Sequence, residues 1–207
     1  MKKFIAILLV LVISLFSFAA CNKDETKKPE TQNNYKPMEE FNEEELKETW
    51  TAGEITFPNG NNIKLPYTVG DFIEKSGLKF TNTSQYENKL IKVGEKFSLT
   101  LVGKDIQVKI SCENKGEEDA NYLDTTVTGF SFFYGMQGNR QITVAAGLTV
   151  GVSRASVESA LGIPEGKTTE DRLYTYKGEL SNKQKIRLNV SFNSDDMVNS
   201  ISYELDN

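Results

Sequence analysis

The chain has 207 residues, with 24 basic and 29 acidic side chains and a net charge of −5 at pH 7. This acidic balance argues against nucleic acid as a partner and against electrostatic attraction to an anionic membrane surface. Histidine is absent from the sequence, so catalysis would have to rely on carboxylates, lysine or tyrosine. We therefore expect a protein that is not an enzyme and that uses neither a metal ion nor a cofactor.

The N-terminus has the layout of a secretory signal. Lys2 and Lys3 precede an apolar run over residues 4–18. This run is shorter than the roughly 20 apolar residues that a membrane-spanning helix needs. The segment "FAAC" at residues 18–21 resembles the lipobox of bacterial lipoproteins, with Phe18 where leucine is more usual. The resemblance implies that residues 1–20 form a signal peptide that is removed in front of Cys21.

In bacterial lipoproteins the lipobox cysteine carries the lipid, so the resemblance implies lipid attachment at Cys21. Two acyl chains, each methylene contributing about 0.8 kcal/mol, make a stable anchor. We expect the protein on the extracytoplasmic face of a bacterial membrane, with a Gram-positive cell favoured over a Gram-negative one. The alternative is an ordinary cleaved signal with an incidental cysteine. If Cys21 carries the lipid, Cys112 has no disulfide partner, and its place in "IQVKISC" predicts a buried apolar role.

Residues 21–48 are polar, charged and interrupted by proline, which indicates a tether that ends in a short helix. Asn42 is a good N-cap, and Glu45 follows three residues later as in a capping box. Trp50 lies four residues after Leu46 on the same helical face. We expect that face to pack against the folded domain, with partner binding as the alternative.

The sequence "FPNGNN" at residues 57–62 predicts a tight turn, because Asn59 and Gly60 suit a backbone with positive φ. Both residues are candidate contacts for a partner if the turn projects from the domain. The alternative is a purely structural turn.

An internal repeat organises the rest of the chain. Thr68 and Ser153 each cap a short helix that ends nine residues later at a glycine, Gly77 or Gly162. Each helix precedes strand-like tracts, and "IQVKISC" matches "IRLNVSF" nearly position by position. We predict an α+β fold of two tandem repeats, each a short helix packed on an antiparallel β-sheet. The first repeat spans residues 49–135 and the second spans residues 136–207.

The second repeat carries a family resemblance. The sequences "GLTVGVSRASVESALGIP", "YTYKG" and "VSFNSDDMVNSISYEL" are similar to the repeat of the β-lactamase-inhibitor-protein-like and SmpA/OmlA superfamily of outer-membrane-assembly lipoproteins. In that superfamily a helix ending in Leu-Gly-x-Pro, here residues 161–164, precedes a β-meander. The resemblance implies an anchored binding module, which in some members inhibits an enzyme.

Strand alternation separates an inward from an outward side of the predicted sheets. Aligning "VTGFSFFY" on "VNSISYEL" places Phe133 on the outward side, opposite Glu204. The same alternation places Lys109, Arg187 and Asn189 there. An aromatic ring among basic and small polar side chains is typical of a protein-binding surface. The alternative is that Phe133 is covered by another part of the domain.

Together these features predict a membrane-anchored extracytoplasmic lipoprotein that binds an envelope or secreted protein. One alternative is a carboxylate-dependent hydrolase of the envelope or of extracellular polymer, which would need two acidic residues in a deep cleft. Another is a receptor lipoprotein for a small molecule.

Overall fold

The computed structural model describes residues 42–81 and 83–206. Cys21, the predicted signal peptide and most of the predicted tether therefore lie outside the described residues. Within them the chain is a mixed α+β structure in which short helices accompany antiparallel sheets, so the predicted class is confirmed. None of the helices in this described part is long and apolar enough to cross a membrane.

The described residues form three helices and thirteen strands. The helices are α1 (Glu43–Thr49), α2 (Val69–Ser76) and α3 (Arg154–Leu161). The strands are β1 (Glu54–Thr56), β2 (Asn62–Lys64), β3 (Tyr67–Thr68), β4 (Lys79–Phe80), β5 (Leu90–Ile91), β6 (Lys96–Gly103), β7 (Ile106–Glu113), β8 (Ala120–Asn121), β9 (Thr126–Phe133), β10 (Thr143–Val144), β11 (Leu173–Glu179), β12 (Lys185–Phe192) and β13 (Val198–Leu205). Short 3-10 helices occupy Trp50–Ala52, Thr83–Gln85, Tyr122–Asp124 and Gln137–Gln141.

The three helices begin at the caps that the sequence predicts. In each, a side-chain oxygen accepts a hydrogen bond from the backbone N–H three residues later, which satisfies a donor that has no partner inside the helix. These bonds join Asn42 to Glu45 (3.1 Å), Thr68 to Asp71 (3.1 Å) and Ser153 to Ser156 (3.2 Å). The helices α2 and α3 end at Gly77 and Gly162, which both have positive φ as the sequence requires.

One eight-stranded sheet dominates the fold. Its strand order is β11-β12-β13-β9-β7-β6-β4, and β3 adds to the end of β9. The sequence predicted a sheet for each half of the chain, but a single sheet runs through both halves. The reason is that β13 pairs with β9 in the middle of the sheet, where Ile201 lies opposite Phe132.

Two smaller sheets complete the structure. One has the order β10-β1-β2, and it joins distant parts of the sequence because Ile55 lies opposite Val144. The other pairs β5 with β8. Contacts between residues from the first and second halves thus occur in more than one sheet.

The predicted inward side of the long strands is confirmed. The side chains expected in the core are all buried: Ile106, Val108, Ile110, Cys112, Ile186, Leu188, Val190 and Phe192. Phe72 of α2 and Val157 of α3 are fully buried in the same cluster. The hydroxyl of Tyr203 donates a hydrogen bond to the carbonyl of Trp50, which ties the segment after α1 to the inward side of the sheet. The ring of Trp50 packs 6.3 Å from that of Tyr176, as expected for a domain contact.

Candidate functional site

The side of the eight-stranded sheet opposite the core is the candidate site, and we call it the outer face. Strand register arranges its side chains in three rows that run across the strands. The first row contains Leu173, Ser191, Ser200 and Phe133. The second contains Thr175, Asn189, Ser202, Ser131, Lys109 and Thr100. The third contains Lys177, Arg187, Glu204, Gly129, Ser111 and Ser98.

The middle of the outer face consists of small polar side chains that bond to one another. The hydroxyl of Thr175 donates to the Asn189 side-chain oxygen at 2.9 Å, and the Asn189 amide nitrogen donates to the Ser202 hydroxyl at 3.1 Å. The hydroxyls of Ser191 and Ser200 lie 2.6 Å apart. Because these hydrogen bonds run between neighbouring strands, they hold the side chains in fixed positions. The hydroxyl and amide groups still have capacity for further hydrogen bonds to a partner.

Phe133 stands at one side of this polar area, and 43% of its surface is exposed. The predicted outward position is correct, but the predicted neighbour is wrong. Phe133 lies opposite Ser200, while Glu204 lies opposite Gly129. The prediction came from aligning the two segments in the same direction, whereas β9 and β13 pair antiparallel, which reverses the order of the pairs.

A buried asparagine fixes the backbone at Phe133. The side-chain nitrogen of Asn139 donates to the carbonyl of Phe133 at 2.9 Å and to that of Gln107 at 3.1 Å. Its side-chain oxygen accepts from the Gln107 N–H at 2.9 Å. Asn139 is completely buried, and it bonds to β7 and β9 as a piece of backbone would. The exposed ring of Phe133 therefore projects from a rigid support.

The ring of Phe133 also lies close over Gly135. A Cβ atom at that glycine would come within 2.9 Å of the ring carbon Cε2, too close for an ordinary contact. The next ring along the chain, Tyr134, is half-buried and packs against the core. It packs under the guanidinium of Arg140 at 4.1 Å, a cation–π contact.

Two predicted basic residues lie on the outer face in different electrostatic settings. Lys109 is exposed and sits opposite Ser131, next to the strand position of Phe133. Arg187 lies 3.5 Å from the Glu204 carboxylate and 2.5 Å from that of Asp206. The two carboxylates neutralise the guanidinium, so Lys109 is the more available cation for a partner.

The predicted residues Asn59 and Gly60 lie apart from the outer face. They form the turn between β1 and β2 of the three-stranded sheet, where Gly60 has a φ of +81°. The Asn59 side-chain nitrogen donates to the carbonyl of Lys75, near the end of α2, at 2.9 Å. Asn61 donates to the same carbonyl at 2.9 Å. The turn thus satisfies a carbonyl at the helix end, which is the structural role named as the alternative.

Sequence reasoning did not identify the buried network around Arg154. The Arg154 guanidinium is paired with Asp196 at 2.9 Å and donates to the carbonyl of Asp171 at 2.6 Å. The hydroxyl of Tyr174 donates to Glu158 at 2.5 Å, and burial raises the pKa of that hydroxyl. These bonds join α3, the loop after it and the turn before β13. A positive charge directly after a helix N-cap is unfavourable beside the helix dipole, and this is the signal that could have indicated a carboxylate partner for Arg154.

A groove of about 510 Å³ lies beside α1, β2 and the β11–β12 turn. Its lining includes Glu48, Glu179 and Lys64. Glu179 pairs with Lys183 at 3.3 Å, and Lys64 pairs with Glu54 at 3.2 Å. Glu48 and Glu179 are the two carboxylates that a paired-carboxylate hydrolase would use in this groove, and Glu179 is held in an ion pair with Lys183.

Neither the Cys112 thiol nor the acidic side chains of the described residues form a further reactive site. Cys112 is buried, and burial raises the pKa of its thiol to about 12, so the thiol stays protonated at neutral pH. Within residues 42–81 and 83–206, no cluster of three or more cysteine, aspartate or glutamate side chains is arranged to hold a metal ion. What the described outer face can offer chemically is hydrogen bonding, apolar contact through Phe133 and Leu173, and the lysine cations Lys109 and Lys177.

Comparison of this chain with protein-family models, with curated proteins and with solved structures finds no match.

Proposed function

We propose that this chain is a membrane-anchored extracytoplasmic lipoprotein that binds another protein through the outer face and carries out no chemistry of its own. The observation that carries the proposal is the exposed ring of Phe133, held rigidly by Asn139 at the side of a polar surface. Aromatic anchors dominate contact energies in protein interfaces. A rigid anchor also loses little conformational entropy when a partner binds.

The order of elements supports a tandem repeat like that of the β-lactamase-inhibitor-protein-like and SmpA/OmlA superfamily. Helix α2 precedes the long strands β6, β7 and β9, and helix α3 precedes β11, β12 and β13. In the sheet, the last strand of each set lies at the centre and the first lies toward an edge. Each proposed repeat would thus contribute three long strands to one shared binding face.

The partner would be an envelope or secreted protein, because the lipid on Cys21 would hold the domain at the extracytoplasmic surface. Its contact surface would offer an apolar pocket for Phe133 and a carboxylate within reach of Lys109. The polar rows of the outer face would contribute hydrogen bonds around these two contacts.

Site-specific photo-crosslinking in the native cell tests the proposal. A benzophenone amino acid replaces Phe133 or Lys109 in the full chain, and the matched control carries it at Ile163, which is 44% exposed but lies after α3. We expect both outer-face positions, and not the control, to cross-link one and the same protein. Cross-links from Ile163 alone, or none from the outer face, would contradict the proposal.

Once that partner is purified, Phe133→Ala should weaken its binding by about 30-fold, corresponding to roughly 2 kcal/mol. Ile163→Ala is the control, because it removes a similarly exposed apolar side chain elsewhere. The melting temperature of both variants should stay close to that of the parent chain. Unchanged affinity, or unfolding of the Phe133 variant, would show that this ring is not a binding anchor.

A further inference from the structure

The strand β11 leaves one edge of the eight-stranded sheet unpaired. It hydrogen-bonds to β12 on one side, and at its ends the Phe192 N–H donates to the Arg172 carbonyl and the Leu180 N–H to the Gln184 carbonyl. In an antiparallel pair the residues alternate between facing their partner strand and facing away from it. The N–H and C=O groups of Leu173, Thr175 and Lys177 therefore point away from β12. Among residues 42–81 and 83–206, none bonds to them.

At the opposite edge of the sheet, a short strand covers the long one. There β4 pairs with β6, so that Phe80 lies opposite Leu101 and Lys79 opposite Val102. No described strand covers β11 in this way, although β11 is seven residues long. A long open edge is a template for pairing with another strand, and Leu173 adds an apolar side chain that is 47% exposed.

We propose that β11 pairs antiparallel with β11 of a second copy of this chain, about a two-fold axis at Thr175. Thr175 then lies opposite its own counterpart, and Leu173 lies opposite Lys177 in both directions. This register forms about six backbone hydrogen bonds from the groups that are otherwise open. Threonine pairs are favourable across strands, and the aliphatic stem of lysine covers a leucine well.

Charge disfavours the registers shifted toward Lys177, and the register with its axis at Tyr174 would need the Asp171 N–H, which already donates to the Thr168 carbonyl. Lys177 makes no ion pair with a described residue, and it lies beside Arg187 in its own sheet. With the axis at Thr175, Lys177 comes diagonal to Asp171 of the other copy, within reach of a long side chain. An axis at Tyr176 would instead bring the two Lys177 side chains diagonal to each other, and an axis at Lys177 would place them directly opposite.

The outermost residue pair of this register brings together two like charges that are each paired with a lysine of their own chain. Asp171 would lie opposite Glu179 of the second copy, two like charges. Each already has its own lysine, because Asp171 lies 3.4 Å from Lys167 and Glu179 lies 3.3 Å from Lys183. The result is one continuous sheet across two copies, whose outer faces lie on the same side.

The oligomeric state in solution tests this pairing and does not depend on the proposed partner. We use the full chain with Cys21→Ser and compare Thr175→Pro with Thr175→Val by sedimentation over about 10 µM to 1 mM. Both substitutions remove the bond to Asn189, but only proline removes the edge N–H, and it fits an edge strand. The parent chain and the valine variant should approach twice the monomer mass, while the proline variant stays monomeric. A parent chain that remains monomeric throughout, or a proline variant that still dimerises, overturns the proposal.

Disulfide trapping provides a second test if the proline variant fails to fold. Thr175→Cys places two thiols beside the two-fold axis, where the Cα atoms of a paired residue lie about 5.5 Å apart. The matched control is Lys177→Cys on the same strand, whose two copies would be separated by four residues along it, roughly 14 Å. Oxidation should give a dimer from the first variant and not from the second. Equal cross-linking of both, or of neither, overturns the pairing.

Discussion

The side-chain amide of Asn139 donates a 2.9 Å hydrogen bond to the carbonyl of Phe133, although the two residues belong to different elements. The same amide completes the backbone hydrogen bonds of Gln107 on the neighbouring strand. A fully buried side chain thus determines where an exposed ring of the outer face stands. The geometry links the stability of the fold to the shape of the proposed binding surface.

The first prediction concerns this asparagine. Asn139→Leu should lower the free energy of unfolding by about 1 to 3 kcal/mol, because backbone groups of Gln107 and Phe133 lose their partner. Gln137→Leu is the control, since Gln137 is exposed in the same 3-10 segment and should change stability by less than about 0.5 kcal/mol. Urea unfolding measures both. Equal losses from the two variants would contradict a specific role for the buried amide.

The second prediction concerns the core under the outer face. Leu188 is fully buried on the inward side of β12, so Leu188→Ala should cost about 2 to 5 kcal/mol through lost burial and a residual cavity. Its neighbour Asn189 points to the outer face, and Asn189→Ala should cost much less. Chemical denaturation compares the two. A loss below about half a kilocalorie for Leu188→Ala would mean that the two sides of the strand are reversed.

The third prediction uses the free thiol. Cys112 is 1% exposed and burial raises its pKa to about 12, so iodoacetamide at pH 8.5 should label the native chain far more slowly than the denatured chain. Mass spectrometry of the Cys21→Ser chain, in which Cys112 is the only thiol, follows the reaction. Comparable labelling rates in the two states would contradict the buried environment.

The raised pKa of Cys112 also fixes the direction of a pH effect on stability. The unfolded thiol ionises near its ordinary pKa of 9.0, whereas the folded thiol ionises only near 12. The contribution of the thiol to stability is therefore complete below about pH 9 and decreases as the pH rises toward 12. Cys112→Ala should flatten this part of the stability profile.

The fourth prediction concerns the anchor. If Cys21 carries the lipid, Cys21→Ser should release the protein from membranes into the medium or leave it with its signal uncleaved. Fractionation of cells followed by mass determination of the N-terminus distinguishes these outcomes. Cys112→Ser is the control and should stay in the membrane fraction. A Cys21→Ser protein that is processed and remains bound to membranes would contradict the lipoprotein proposal.

Local features of the fold were predictable because they depend on residues close together in sequence. Thr68 and Ser153 cap their helices through a bond to the third residue on, and Gly77 and Gly162 end them. Alternation along β7 and β12 assigned Ile110 and Leu188 to the core, since a strand repeats every two residues. The outward positions of Phe133, Lys109 and Arg187 follow from the same period.

Pairing between distant segments was less predictable. Similarity between the two halves indicated two sheets, but it contained no information about which strand edges would meet. The antiparallel contact of β9 with β13 makes one sheet and places Ser200, rather than Glu204, opposite Phe133. Correct pairing requires the relative direction and the register of the two strands. The similarity between the two halves of the sequence determines neither.

The sequence by itself determined the caps, the strand faces, the acidic charge and the absence of histidine, because each depends on composition or on a short period. The tertiary structure alone decided that Asn139 supports Phe133, that Asp206 neutralises Arg187 and that Asn59 bonds to the end of a helix. These contacts join residues of different structural elements. Whether such groups meet depends on how the whole sheet assembles around its core, which no local pattern specifies.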